Sequence, residues 1–206
     1  MRLQHVRWIG GGTGAGKSTI AQRLAREHGL RVYDSDRAIG DHARRSHPLE
    51  HPLVQRFMAM DMDERWVHRS PAVMLETFHG FQGEGFEFIV EDLLAMPDDA
   101  PILAEGFRLL PRLVAPLLTS PHQAVSLVPT PEFRRMAFES RGFTWDIPGR
   151  TSDPERALAN LLERDELFTA DVAKEAAALQ LHVVGVDLGM GLDEVTELVA
   201  EALGLA

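Results

Sequence analysis

Apolar positions along the chain fall into short unbroken runs that alternate with stretches of helical spacing. Val6 to Ile9 is a compact apolar run leading into Gly10, Gly11 and Gly12, and it predicts a first strand. From Ser18 to His28, Ile20, Ala21, Leu24 and Ala25 recur at the spacing of one helical face. Gly29 follows where a helix C-terminus favours a left-handed residue. Further runs predict strands over Leu30 to Tyr33, Pro101 to Ala104, Ala124 to Val128 and Leu181 to Val186. A helix is expected from about Pro131, and another from Asp193 to Leu203. Between them a long helix is expected, with Asp153 as its cap and Pro154 in its first turn. Its apolar face comprises Leu158, Leu161, Leu162, Phe168, Val172 and Ala176.

Strands alternating with helices imply a parallel sheet covered on both faces, an α/β three-layer sandwich with five strands. Such sheets bind ligands at the carboxyl ends of their strands. No internal repeat or low-complexity linker divides the chain, so residues 1–206 read as one domain. The region 37–100 is expected to be helical, broken at His47-Pro48, Pro52, Pro71 and the loop with Gly80, Gly83 and Gly85. It is the expected acceptor-binding insertion. Residues 140–153, with Gly142, Pro148 and Gly149 and little periodicity, are expected to form a lid loop.

The glycine cluster carries the strongest chemical signal. Gly11-Gly12-Thr13-Gly14-Ala15-Gly16-Lys17-Ser18 satisfies the phosphate-loop pattern G-x-x-x-x-G-K-[ST], after a predicted strand and before a predicted helix. Such a loop curls its amide groups around phosphate oxygens, and the helix that follows adds its positive end. Gly12, Thr13, Gly14, Ala15, Gly16, Lys17, Ser18 and Thr19 are therefore the expected nucleotide-binding residues. Lys17 would reach the β- and γ-phosphates of ATP, and Ser18 would help hold Mg²⁺. A rival pattern overlaps it: Gly10-x-Gly12-x-x-Ala15, with Asp34 further on, also fits a dinucleotide fingerprint. A dinucleotide site has no need of Lys17 and Ser18.

Val32-Tyr33-Asp34-Ser35-Asp36 at the second strand's end, taken with the phosphate loop, resembles the D-[ST]-D motif of shikimate kinases. The sequence is similar to the shikimate kinase and gluconate kinase group of P-loop kinases. That resemblance implies a P-loop kinase fold and a phosphotransferase using ATP and Mg²⁺. It makes Asp34 a metal-side residue acting through water, and Asp36 the base that binds the acceptor hydroxyl. The alternative for Asp36 is a cap on a helix beginning near Arg37. Glu105, ending the third strand, resembles the strand-end acid that many P-loop kinases set beside their first strand, and it is a metal candidate. Arg134 and Arg135 lie where such enzymes carry nucleotide-contacting arginines; Arg134 is assigned to the nucleotide and Arg135 to catalysis. Arg164 resembles the substrate-facing arginine of the post-lid helix and is also a catalytic candidate. Arg141 and Arg150, at the lid, rank lower, and Arg108 is a candidate to face the acceptor. Glu105-Gly106-Phe107-Arg108 departs from the glycine triplet of shikimate kinases, which argues against shikimate as the acceptor.

Composition narrows the classes further. A net charge of −10 argues against a nucleic-acid polymer as partner, but one Lys and a few Arg suffice for a nucleotide. No apolar run approaches the roughly 20 residues that span a bilayer, and the first residues read as a strand rather than a signal peptide. Without cysteine there is no disulfide, which suits a cytoplasmic protein, monomer or homodimer, acting on a small-molecule acceptor. His47-Pro48-Leu49-Glu50-His51 spells H-x-x-E-H, but Pro48 and Pro52 oppose the single helix that zinc would need. Two readings of other classes remain: a nucleotide-binding regulatory module with little turnover, and an NTPase that moves a partner protein.

Overall fold

The computed structural model describes residues 3–140 and 146–205. Among these, five strands form one parallel sheet: β1 (Val6–Gly11), β2 (Arg31–Asp34), β3 (Ile102–Glu105), β4 (Ala124–Pro129) and β5 (His182–Val186), in the order β2-β3-β1-β4-β5. Parallel strands buried on both sides need apolar residues at successive positions, which explains the unbroken runs. The pleat sorts them by face. Val6, Trp8, Ile102 and Ala104 join one core, while Ile9, Leu103, Val125 and Leu127 join the other.

The second core is closed by α1 (Lys17–His28) and α11 (Leu192–Ala202), through Ile20, Leu24 and Val199. Arg26 and His28 lie in the last turn of α1, and Gly29 ends it with φ 66°. The insertion contributes α2 (Ile39–Arg45), α3 (Pro52–Ala59), α4 (Met62–Trp66), α5 (Pro71–Thr77), α6 (His79–Gln82) and α7 (Phe86–Ala95). The breaks expected at His47-Pro48, Pro52, Pro71, Gly83 and Gly85 occur, while Gly80, expected in the loop, lies inside α6. Helix α2 stops before His47-Pro48, while Pro52 and Pro71 open α3 and α5, where a missing N–H costs nothing.

Residues 37–100 also contribute to the core of the sheet. Helix α7 sends Ile89 and Leu93 under the sheet, in the core with Trp8 and with Val114 of α8 (Pro111–Val114). Helices α4, α5 and α6 pack on α10 (Pro154–Ala178), which follows α9 (Pro131–Ser140), while α2 is tied to α7 through His42 and Arg45. Trp66, Val67 and Met74 pack on Ala157 and Leu161, and Phe78 and Phe81 on Phe168 and Val172. Asp153 caps α10 by accepting from Arg156 N, with Pro154 beside it. The buried stripe of α10 differs from the apolar face expected. Leu158 and Leu162 are only partly buried, and Arg164, Asp165 and Thr169 lie inside the stripe. Among the described residues no helix is long and apolar enough to cross a membrane.

Candidate active site

Strand β1 ends at Gly11, and α1 starts at Lys17 with Gly16 at φ 82° as its N-cap. That φ is strained for any side chain, so glycine lets the loop turn straight into a helix N-terminus. Lys17 is buried, and its Nζ donates to Gly12 O at 2.8 Å, curling back over the loop.

Three acids come to the same end of the sheet because of register. Glu105 sits opposite Ile9 on one side and Asp34 on the other. The alternation of faces turns it toward α1, where the Ser18 hydroxyl bonds to it. Glu105 is 1% exposed, and its Oε2 has no hydrogen-bond partner among the described residues. Burial pushes its pKa up to about 7, with the charges of Asp34 and Asp36 adding to the effect and the Ser18 hydrogen bond opposing it. An unpartnered buried carboxylate oxygen beside a serine hydroxyl and two further acids fits a hard divalent cation. Among the described residues no three His, Asp or Glu side chains could hold a metal by themselves. Mg²⁺ keeps several waters and takes phosphate oxygens, so Ser18 with one or two acids meets its needs.

Asp34 and Asp36 divide their work. Asp34 Oδ1 accepts from Asp36 N and Arg37 N, both at 3.0 Å, and its Oδ2 pairs with Arg37 at 3.1 Å. The turn after β2 is therefore held by Asp34, and α2 begins only at Ile39 with no side-chain cap. The capping alternative for Asp36 has no support here. Asp36 Oδ1 instead accepts from Phe107 N at 3.3 Å, and its side chain lines the cleft. Gly106, at φ 145°, makes this approach possible: a Cβ there would sit 2.6 Å from Asp36 Oδ1. Burial raises the Asp36 pKa first, Lys17 opposes, Asp34 adds and Arg108 opposes.

The arginines are distributed differently from the expectation. Arg134 is buried, gives Nη2 to Thr169 Oγ1 at 2.7 Å, and lays its stem beside Gly14 of the loop. Arg135, the next residue on α9, is exposed and borders an outer groove with Glu163 and Glu166 rather than the cleft. One helical position rotates a side chain by about 100°, so the pair cannot share a direction. Arg164 is buried and lines the cleft. Arg150 is exposed, and Arg141 lies outside the described residues. Of the lid segment, Ile147 reaches the cleft and Ser152 N donates to Asp63 of α4 at 2.7 Å.

Arg108 supports the acids from behind. Its Nη1 donates to His42 Nδ1 at 2.8 Å and its Nη2 to Gly85 O at 3.0 Å. Because Arg108 can only donate, His42 Nδ1 accepts, and His42 Nε2–H donates to Asp92 at 2.7 Å. Burial lowers the His42 pKa, in keeping with this neutral tautomer. Lone His and Asp residues within helices gave no sequence signal for this chain of contacts. The H-x-x-E-H residues do no such chemistry: His51 Nδ1 accepts from His47 N, and Nε2 meets Glu87.

The cleft itself is one cavity of about 350 Å³, running from the phosphate loop past Asp36 to Phe57, Trp66, Phe78 and Arg164. Residues 13–49 match the family model described as shikimate kinase, a segment covering the phosphate loop, α1, β2 and Asp34 to Asp36. Over that segment the chain is similar to shikimate kinases. The five-stranded parallel sheet with the phosphate loop after β1 agrees with the expected α/β fold. An uncharacterised protein from Eubacterium ventriosum has a similar fold, with TM-score 0.50, 13% identity and 98% of each chain covered. TT1252 from Thermus thermophilus aligns with TM-score 0.48 and 19% identity over 97% of each chain. No curated protein matches.

Proposed function

We propose that this chain is a Mg²⁺- and ATP-dependent phosphotransferase that moves the γ-phosphoryl group of ATP to a hydroxyl of a small molecule. The observation that carries the reading is the position of Asp36: its carboxylate caps no helix and lines the cleft that also contains the phosphate loop and Arg164. Phosphoryl transfer depends on positioning and charge neutralisation more than on covalent chemistry. The loop amides and Lys17 bind the β- and γ-phosphates, and Arg134, behind Gly14, stiffens that loop. Ser18, Glu105 and, through water, Asp34 would hold Mg²⁺, which when bound neutralises charge between the β- and γ-oxygens. Asp36 accepts the hydrogen of the acceptor hydroxyl and aims its oxygen. A carboxylate with a raised pKa is the better proton acceptor for that step. Arg164 bounds the far side of the acceptor space, and Ile147 brings the lid segment to the same wall.

The test is ATP consumption with and without a panel of hydroxyl compounds, with the phosphorylated product identified by mass spectrometry. Stimulation by an acceptor is expected. Lys17→Ala should abolish both ATP binding and transfer. Asp36→Asn should keep ATP binding but lose about 10²-fold or more in rate, the scale of a lost general base. ATP binding with no transfer to any acceptor would favour a regulatory module. Equal rates for Asp36→Asn and wild type would remove Asp36 from the reaction.

A further inference from the structure

The acceptor end of the cleft is built from rings. Phe57 lies 5.7 Å from Trp66 and 5.1 Å from Phe78, Phe78 lies 4.9 Å from Phe81, and Phe81 lies 5.7 Å from Phe107. His79 completes the set, 5.6 Å from Phe57. All six line the cavity. Burial takes the His79 pKa down to about 4, so this ring is neutral at physiological pH.

The polar content of the same wall is small. The Arg164 guanidinium lies 5.0 to 5.3 Å from the centroids of Phe81, Trp66 and Phe78. Its Nε and Nη2 both bond to Asp165 Oδ1, at 2.8 and 2.5 Å, which compensates its charge within the protein, while its Nη1 is left as the one guanidinium nitrogen without a partner among the described residues. Apart from Asp36 and the phosphate loop, the nitrogen donors or acceptors among the lining side chains are those of Arg164, His79 and Trp66, whose indole offers a single N–H. A polyol or sugar acid has a hydroxyl on almost every carbon, and each one buried here without a partner costs affinity. A flat apolar ring gains from burial and from edge or face contacts with the aromatic walls.

We propose that the acceptor is a hydroxylated aromatic, or similarly flat apolar, ring compound rather than a polyol or sugar acid. This rests on the phosphotransferase reading and names its substrate class. Of the three tryptophans, Trp66 provides the measurement: it lines the cavity, Trp8 is buried under the sheet, and Trp145 lies outside the described residues and is separated by the Trp66→Phe difference. The protein saturated with Mg-ADP is titrated with 2-phenylethanol, gluconate and shikimate while tryptophan fluorescence is followed, with Trp66→Phe to assign the signal. Calorimetry with ATP is run on every variant. The expected result is a Trp66 response to 2-phenylethanol, with affinity at least about tenfold above that for gluconate or shikimate. Phe57→Gln should weaken 2-phenylethanol about tenfold while the heat of ATP binding is unchanged. Gluconate or shikimate binding as tightly as 2-phenylethanol overturns the proposal, as does unchanged 2-phenylethanol affinity in a Phe57→Gln protein that binds ATP. Phosphoryl transfer to gluconate without aryl binding overturns this proposal and leaves the phosphotransferase reading standing. No heat with ATP or GTP in the wild type overturns both.

Discussion

Glu105 shows how one buried carboxyl couples the site to pH. Its pKa stands at about 7 in the folded protein, against about 4.3 for an ordinary glutamate. The folded state therefore holds a proton that the unfolded state releases between about pH 4.5 and 7, so stability falls as pH rises through that window. Without nucleotide, the protein is expected to lose about 2–3 kcal/mol of this contribution across that range. Glu105→Gln, which keeps the shape and removes the ionisation, should flatten the slope in urea titrations at several pH values. An unchanged slope would mean that Glu105 ionises normally. The same proton competes with a cation, so affinity for Mg-ATP should weaken as pH drops below 7. At this scale desolvation outweighs the favourable Ser18 hydrogen bond.

The elements matter through where they end. Strands β1, β2 and β3 finish side by side, and Gly106 lets the chain after β3 touch the turn after β2. Gly106→Ala is expected to displace Asp36, because the added Cβ meets both Ser35 Oγ and Asp36 Oδ1 at a strained φ. Transfer should fall by about 10²-fold with ATP affinity kept, since the phosphate loop is untouched. Wild-type turnover in Gly106→Ala would show that the turn tolerates the shift. This element scale is also where the sequence was most legible. Periodicity located all five described strands and the helices α1, α9, α10 and α11, because a doubly covered parallel sheet demands continuous apolar runs. The phosphate-loop pattern also singled out Lys17, and the resemblance to P-loop kinases singled out Asp34, Asp36, Glu105 and Arg164, all of which lie at strand ends or line the cleft. What it did not reveal depended on contacts between distant segments. The direction of Arg134 against Arg135 follows from the helix's rotation on the sheet. The service of α7 to the sheet core, the Arg108–His42–Asp92 contacts and the ring-lined wall bring together residues far apart in the chain.

At the scale of the molecule, the cleft separates two packed bodies that share α10. One is the sheet with its phosphate loop; the other is the set of insertion helices packed on α10 through Trp66, Met74, Phe78 and Phe81. A ligand on the loop is held by the folded sheet alone, since the unfolded chain has no such array of amides. Mg-ATP at a hundred times its Kd should therefore stabilise the fold by about 2.7 kcal/mol. For a chain of 206 residues this corresponds to a rise in Tm of about 5–10 °C. Thermal melts with and without Mg-ATP measure it, and Lys17→Ala should erase the shift. Melting of the insertion is the sharper readout. If α10 joins both bodies into one cooperative unit, near-ultraviolet circular dichroism from the aromatic wall and far-ultraviolet signal from the whole fold must move together on adding Mg-ATP. A shift confined to the far-ultraviolet transition would mean that the insertion unfolds independently, and that α10 does not carry nucleotide binding across the cleft.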